Sequence, residues 1–307
     1  MRALGASGLL TPPLILGGNV FGWTADEAES FRVMDAFVAG GGTMIDTADV
    51  YSAWAPGHVG GESEGVIGRW LNRRRRRHDV LIATKVGFLG GLSRSSVERA
   101  IAESLRRLQT DYIDLYYAHR DDDTVPLEET LEAFDGLVRA GKVRQLGASQ
   151  IEPERLEQAL EISDANGWER YSVLQTWYSI VERPRFEGAL ARVATRHNLG
   201  VATFYSLANG YLTGKYRSAD DLSKSVRGDR VAGYMHGEGP AVLAILDEIA
   251  HEAKATPAQV ALAWTAAQPG VTAPLASATS VVQLQELLGS LHLELTEDQL
   301  KAVSAVG

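Results

Sequence analysis

Residues 80–117 read VLIATKVGFLGGLSRSSVERAIAESLRRLQTDYIDLYY, and this stretch decides the fold. It opens on a short apolar run, Val80–Lys85, and closes on another, Tyr112–Tyr117. Between them, Ser95 to Leu108 sets Val97, Ile101, Leu105 and Leu108 at helical spacing, the rhythm of one buried face. Strand, helix and strand in that order make a parallel crossover unit. The same alternation extends outward. Further apolar runs stand at Leu14–Leu16, Thr43–Asp46, Val143–Ser149, Val173–Gln175, Leu199–Phe204 and Val271–Pro274. Asp26 to Ala39 carries Phe31, Met34, Asp35 and Val38 at helical spacing. Thr124 to Glu128 reads as a capped helix start with an early Pro126, and Gly141 ends that helix as a left-handed cap. About eight such units predict a closed α/β architecture, the (β/α)8 TIM barrel. Leu4–Gly8 with the residues after it reads as strand–turn–strand, a hairpin capping the barrel bottom. An open doubly wound sheet would carry a GxGxxG fingerprint after its first strand, and Gly17-Gly18-Asn19-Val20-Phe21-Gly22 is not one.

A barrel accommodates all 307 residues as one domain spanning 1–307. The net charge of −9 speaks against nucleic-acid and anionic-membrane partners. The chain has no cysteine, so neither a disulfide nor a thiolate nucleophile is available. Pro12 and Pro13 break the apolar N-terminal stretch, unlike a secretory signal. No run approaches the ~20 apolar residues of a membrane span. A cytoplasmic location is expected.

Barrel chemistry gathers at the C-terminal ends of strands. There the second, third and fourth runs deliver Asp46, Lys85 and His119, and Tyr51 follows Asp46 by one short loop. These residue types suit carbonyl reduction. Hydride addition makes an alkoxide that needs a proton, so a general acid must stand within hydrogen-bond reach. A tyrosine hydroxyl can serve, and a neighbouring ammonium favours its ionised form. Lys85 is expected to lower the Tyr51 pKa in this way, Asp46 to hold Lys85, and His119 to orient the carbonyl.

These segments resemble the aldo-keto reductase family. Asp46-Thr47-Ala48-Asp49-Val50-Tyr51 is similar to the family's Asp-Thr-Ala-x-x-Tyr, and Gly61-Glu62-Ser63-Glu64 to the helix start that follows it. Ala83-Thr84-Lys85 and Asp111–Leu115 leading to His119 match the lysine and histidine segments. Tyr205 to Tyr216 resembles the pyrophosphate loop. The resemblance implies catalytic roles for Asp46, Tyr51, Lys85 and His119. It implies that Ser149, Gln150 and Gln175 hold the nicotinamide carboxamide, that Tyr205 stacks on the ring, and that Gly18, Asn19 and Asp46 adjoin the cofactor. Ser206, Leu207, Asn209, Gly210, Leu212 and Lys215 would follow the pyrophosphate. Ser277, Thr279, Gln283 and Glu286 would surround the adenosine. Some positions depart from the pattern. Gln150 replaces an Asn, and no Pro follows Ser206. Thr279 stands where relatives carry an Arg that would pair a 2′-phosphate, and Leu287 replaces an Asn near adenine. NADP(H) is the implied cofactor, with a weakened preference that leaves room for NAD(H). Monomer is the family default.

Other residues have plainer readings beside functional ones. Any one of the four catalytic candidates alone would be an ordinary hydrogen-bonded residue; four in order on adjacent strands carry the assignment. Arg73 to Arg77 reads as a basic helix end at the barrel bottom rather than a nucleic-acid patch. Asp121-Asp122-Asp123 reads as a solvated helix-start cluster, since it lacks calcium-loop spacing, and His251-Glu252 as helix surface. Trp23, Trp54, Phe88, Arg120 and Trp177 fall in rim positions, where they would line a pocket for an apolar or sugar-like ligand. The long, polar segment Ser218 to Gly239 reads as a loop. A cofactor-holding regulatory binder of the same fold is the rival function. A metal-dependent hydrolase would need more strand-end ligands than His119 supplies.

Overall fold

The computed structural model describes residues 1–226 and 228–307. Its strands are β1 (Arg2–Ala3), β2 (Leu10–Thr11), β3 (Ile15–Gly17), β4 (Met44–Asp46), β5 (Leu81–Val86), β6 (Ile113–Ala118), β7 (Val143–Ser149), β8 (Tyr171–Trp177), β9 (Gly200–Phe204) and β10 (Ala273–Ala276). The helices are α1 (Glu27–Ala39), α2 (Glu62–Arg74), α3 (Arg94–Leu108), α4 (Leu127–Arg139), α5 (Pro153–Asn166), α6 (Ala189–Arg196), α7 (Gly228–Val231), α8 (Gly239–Ala253), α9 (Pro257–Ala267), α10 (Val281–Gly289) and α11 (Glu297–Val306). Strands β3 to β10 close into a barrel, and each neighbouring pair runs parallel. This is the (β/α)8 architecture that the alternating runs predict.

The barrel lumen is filled by Ile15, Met44, Ala83, Leu115, Tyr117, Val173, Ala202, Ala273 and Leu275. Leu4 belongs to the same cluster and is fully buried. It projects from the β1–β2 antiparallel hairpin, which is thereby the plug expected at the bottom. Backbone contact there is close. A Cβ on Gly5, whose φ is +58°, would stand 2.0 Å from the Gly200 nitrogen, so only glycine permits the approach. Arg2 Nη1 donates to the carbonyls of Ala266 (2.5 Å) and Thr272 (3.2 Å).

Several boundaries differ from the sequence expectations. In α1, Asp26 is the cap, accepting from Glu29 N at 2.8 Å. The buried stripe is Ser30, Val33, Met34 and Phe37, one step round from the expected face. Asp35 instead points outward and accepts from Trp70 Nε1 at 2.8 Å. Thr124 does not cap α4; its hydroxyl and backbone N–H bind Asp122, and the helix starts after Pro126. Gly141 does take the left-handed conformation, with φ +72°. The last barrel strand begins two residues later than the apolar run, because Thr272 meets Val201 through its hydroxyl as well as its backbone.

The Arg run ends α2, and Arg77 pairs with buried Asp114 at 2.7 Å below the barrel. Asp121 pairs with Arg155 at 3.0 Å. His251 and Glu252 lie on the exposed side of α8. Segment 218–239, apart from residue 227 outside the described residues, winds into short helical turns rather than plain loop. Tyr234 in it stacks on Tyr211 (5.9 Å) and donates to Glu182 (3.0 Å). Among the described residues, no helix is long and apolar enough to cross a membrane.

Candidate active site

The barrel rim brings four expected residues together. Asp46 ends β4, Lys85 lies near the end of β5, and His119 follows β6. Tyr51 lies in the turns after β4. Lys85 Nζ donates to Asp46 Oδ2 (2.6 Å), to the Thr47 carbonyl (2.8 Å) and to Tyr51 Oη (2.9 Å). All three ammonium protons are therefore used, on a side chain with no solvent exposure. Tyr51 Oη donates to Asp46 Oδ2 at 3.2 Å. Gln175 Nε2 donates to the other Asp46 oxygen at 2.8 Å. The Tyr51 and His119 rings lie 6.1 Å apart.

Electrostatics here depart from one sequence expectation. Burial lowers the Lys85 pKa, with Asp46 opposing the fall. Tyr51, however, is pushed well above its usual 10, first by burial and then by the Asp46 charge. The neighbouring ammonium does not make Tyr51 acidic, because burial, and after it the Asp46 carboxylate on the same hydroxyl, disfavours the phenolate. His119 is held well below its usual 6.5 by burial, then by Lys85 and Arg120. Its imidazole is neutral at physiological pH, and Nδ1 has no partner among the described residues.

Local sequence fixes this rim. Gly18 N donates to the Asp46 carbonyl (2.7 Å), and Ser63 Oγ donates to the Gly18 carbonyl (2.7 Å). Thr47 Oγ1 donates to Ser63 Oγ at 2.8 Å, so the start of α2 is tied to the ends of β3 and β4. Glu64, fully buried, takes Arg107 and Thr84 at 2.6 Å each.

The expected rim aromatics form a continuous wall. Trp23 meets Trp54 edge-on at 5.6 Å, and Trp54 meets Tyr51 at 6.0 Å. Beyond His119, Phe88 lies 5.0 Å from the imidazole, and the Arg120 guanidinium lies over Phe88 at 5.2 Å. Trp177 stands apart from that wall, stacked on Tyr205 at 4.0 Å.

The cofactor candidates divide. Ser149 is buried, and its Oγ lacks a partner among the described residues, as a residue awaiting an amide would. Gln175 is committed to Asp46, and Gln150 Nε2 donates to the His119 carbonyl at 3.0 Å. Both brace catalytic candidates in this structure. Tyr205, Ala208, Asn209 and Gly210 all have positive φ (59°, 47°, 58° and 97°). The Ala208 and Gly210 N–H groups turn back onto the carbonyls of Tyr205 (2.7 Å) and Leu207 (2.8 Å), so the segment is a tight succession of turns. Ser206 Oγ is turned inward to the Thr203 carbonyl (2.9 Å), Leu207 is half-buried and Leu212 fully buried. Lys215 lies over Tyr216 at 5.0 Å. Ser277 Oγ donates to Asn19 Oδ1 at 2.5 Å. Thr279 donates its N–H (2.9 Å) and hydroxyl (3.0 Å) to Gln283. Glu286 offers its carbonyl to Gln259 at 2.8 Å, and Leu287 is buried in the core.

Sequence reasoning missed the Thr47 carbonyl, the Gln175–Asp46 bond and Asp49. Motif spacing could not signal them, since each depends on burial and on groups that the fold brings in from elsewhere in the chain. Asp49 Oδ1 is buried without a partner among the described residues. Burial and the Glu64 charge push its pKa up to about 7, against the pull of Arg107. A carboxyl raised in the folded chain favours folding while protonated, and that contribution is lost as pH climbs from the usual carboxyl range to about 7. Unfolding by denaturant should therefore show wild-type stability falling across this window, with a flatter profile for Asp49→Asn. Identical slopes would count against the assignment.

A closed parallel barrel with a buried Lys–Tyr–Asp cluster at its C-terminal rim defines a class of barrel oxidoreductases. Comparison with known proteins makes the assignment specific: the aldo/keto reductase family profile matches residues 13–307, and the chain belongs to that family. It is 33% identical to aldo-keto reductase str7 of Strobilurus tenacellus, over 92% of this chain and 82% of that protein. It is 31% identical to protein tas of Escherichia coli (strain K12), over 98% and 95% of the two chains. It is 30% identical to aldo-keto reductase yakc [NADP(+)] of Schizosaccharomyces pombe (strain 972 / ATCC 24843), over 86% and 78%. The family reduces carbonyls on small molecules and generally uses NAD(P)H.

Proposed function

We propose that residues 1–307 act as one catalytic unit, an NAD(P)H-dependent reductase of aldehydes or ketones that also runs in reverse on alcohols. The observation that carries this reading is Lys85 Nζ in contact with both Tyr51 Oη and Asp46 Oδ2, beside a neutral His119. When bound, the nicotinamide supplies the hydride. Tyr51 is the general acid. Its raised pKa keeps the proton in place until negative charge develops on the substrate oxygen. Lys85 backs the phenol with positive charge, and Asp46 keeps Lys85 protonated against burial. His119 donates an N–H to the carbonyl oxygen and so orients it. Gln150 and Gln175 hold His119 and Asp46 in position.

The rim offers a cradle for the cofactor. Ser149, with its spare hydroxyl, would meet the carboxamide together with Gln150 and Gln175, and Tyr205 would face the ring. The tight turns at 205–210, including Ser206, Leu207, Asn209 and Gly210, would take the pyrophosphate together with Leu212 and Lys215. Gly18, Asn19, Ser277, Thr279, Gln283 and Glu286 would border the rest. NADP(H) is the proposed cofactor, as the name of the S. pombe relative suggests. Thr279 brings no cation to a 2′-phosphate, so the preference over NAD(H) is proposed to be weak.

A screen of aldehydes, ketones, sugars and alcohols with both nicotinamides tests this. Turnover is expected with either cofactor, within about tenfold, because Thr279 lacks the charge-assisted contact that would separate them further. A much larger NADPH preference would overturn the cofactor half. No substrate-dependent absorbance change anywhere in the panel would favour a regulatory binder.

A further inference from the structure

We infer that the carbonyl substrate carries a carboxylate, read by the exposed Arg120 guanidinium held on the face of Phe88 beside the catalytic His119. This rests on the reductase reading of the site. Arg120 follows His119 directly, and its guanidinium carbon lies 5.2 Å from the Phe88 ring centre. Phe88 in turn lies 5.0 Å from the imidazole. The cation is thus two ring contacts from the group that would hold the carbonyl oxygen.

Its environment points to a ligand. Among the described residues, no carboxylate lies within ion-pairing distance of Arg120. The acidic residues after it are used otherwise. Asp121 binds Arg155 (3.0 Å), and Asp122 accepts from Leu92 N (2.9 Å) and from the Thr124 hydroxyl (2.5 Å). The Asp122 charge reaches Arg120 only from beyond contact. A guanidinium over an aromatic ring makes no hydrogen bond to it and so still has its N–H fork to offer. That fork matches a carboxylate in two parallel hydrogen bonds. The Arg120 charge is also felt at His119, so an anion bound there lies within electrostatic reach of the reacting centre. Phe88 and Trp54, both partly exposed, would flank a planar or apolar spacer between the carbonyl and the acid.

The test compares 4-carboxybenzaldehyde with its uncharged methyl ester at saturating NADPH, in wild type, Arg120→Gln and Arg120→Lys. Wild type is expected to favour the acid in kcat/KM by about 10- to 100-fold, carried by KM, as a charge-assisted pair allows. Arg120→Gln should bring the ratio to about one, and Arg120→Lys should restore part of it. Equal use of both aldehydes by wild type, or a preference surviving in Arg120→Gln, overturns the inference. Calorimetric titration of 4-carboxybenzaldehyde into each protein reads the contact without turnover. Arg120-dependent binding with no turnover would support the anion site and defeat the reductase reading. Absence of both would defeat both.

Discussion

Tyr51→Phe is expected to lower kcat for carbonyl reduction by about 10²- to 10⁴-fold, the range of a lost general acid. The substitution removes one oxygen and keeps the ring, so the edge contact with Trp54 and the packing toward His119 persist. Lys85 would keep Asp46 and the Thr47 carbonyl as partners. Cofactor affinity, followed by fluorescence titration with NADPH, should hardly move. The effect should therefore fall on kcat. Wild-type reduction should also stay level from neutral into mildly alkaline pH, because burial and Asp46 hold the phenol protonated well above its usual range. Near-normal turnover by Tyr51→Phe would require another proton donor.

Lys85→Met should be nearly as damaging to kcat and should also destabilise the fold. Two effects combine here. Without the ammonium, Tyr51 faces the Asp46 carboxylate alone, and giving up its proton would place two negative charges side by side. Asp46, almost fully buried, would also lose its charge partner, a change that typically costs about 3–5 kcal/mol. The double variant Lys85→Met/Asp46→Asn separates the two. Its unfolding free energy should recover most of the loss, while kcat stays low. If stability and kcat recovered together, Lys85 would be a structural residue and its role beside Tyr51 would have to be abandoned.

Most of this site was legible because a barrel puts its chemistry where apolar runs stop. Asp46, Lys85 and His119 could be read as rim residues from the ends of three runs, and Tyr51 from one short loop. The direction of the Tyr51 pKa was not legible. Sequence reveals a lysine and an aspartate nearby, but not that both meet the same oxygen in a buried place. The Gln175–Asp46 bond joins positions 129 residues apart, and the Trp177–Tyr205 stack joins neighbouring strands, so neither leaves a local pattern. The α1 face was misjudged by one step because Phe31 and Val38 are half-buried beside the true stripe. Periodicity alone cannot choose between two adjacent faces of a helix.

The plug at the barrel bottom also imposes an order on assembly. Arg2 is fastened to carbonyls 264 and 270 residues further along the chain, and Gly5 lies against the strand that starts at Gly200. During synthesis, this hairpin must wait for nearly the last barrel segment before it can dock. Until then Leu4 lacks Ala273 and Leu275 among its lumen partners, and the inward face of the open sheet stays uncovered. Closing it is a long-range step, the kind that folds slowly and leaves sticky surface exposed in the meantime.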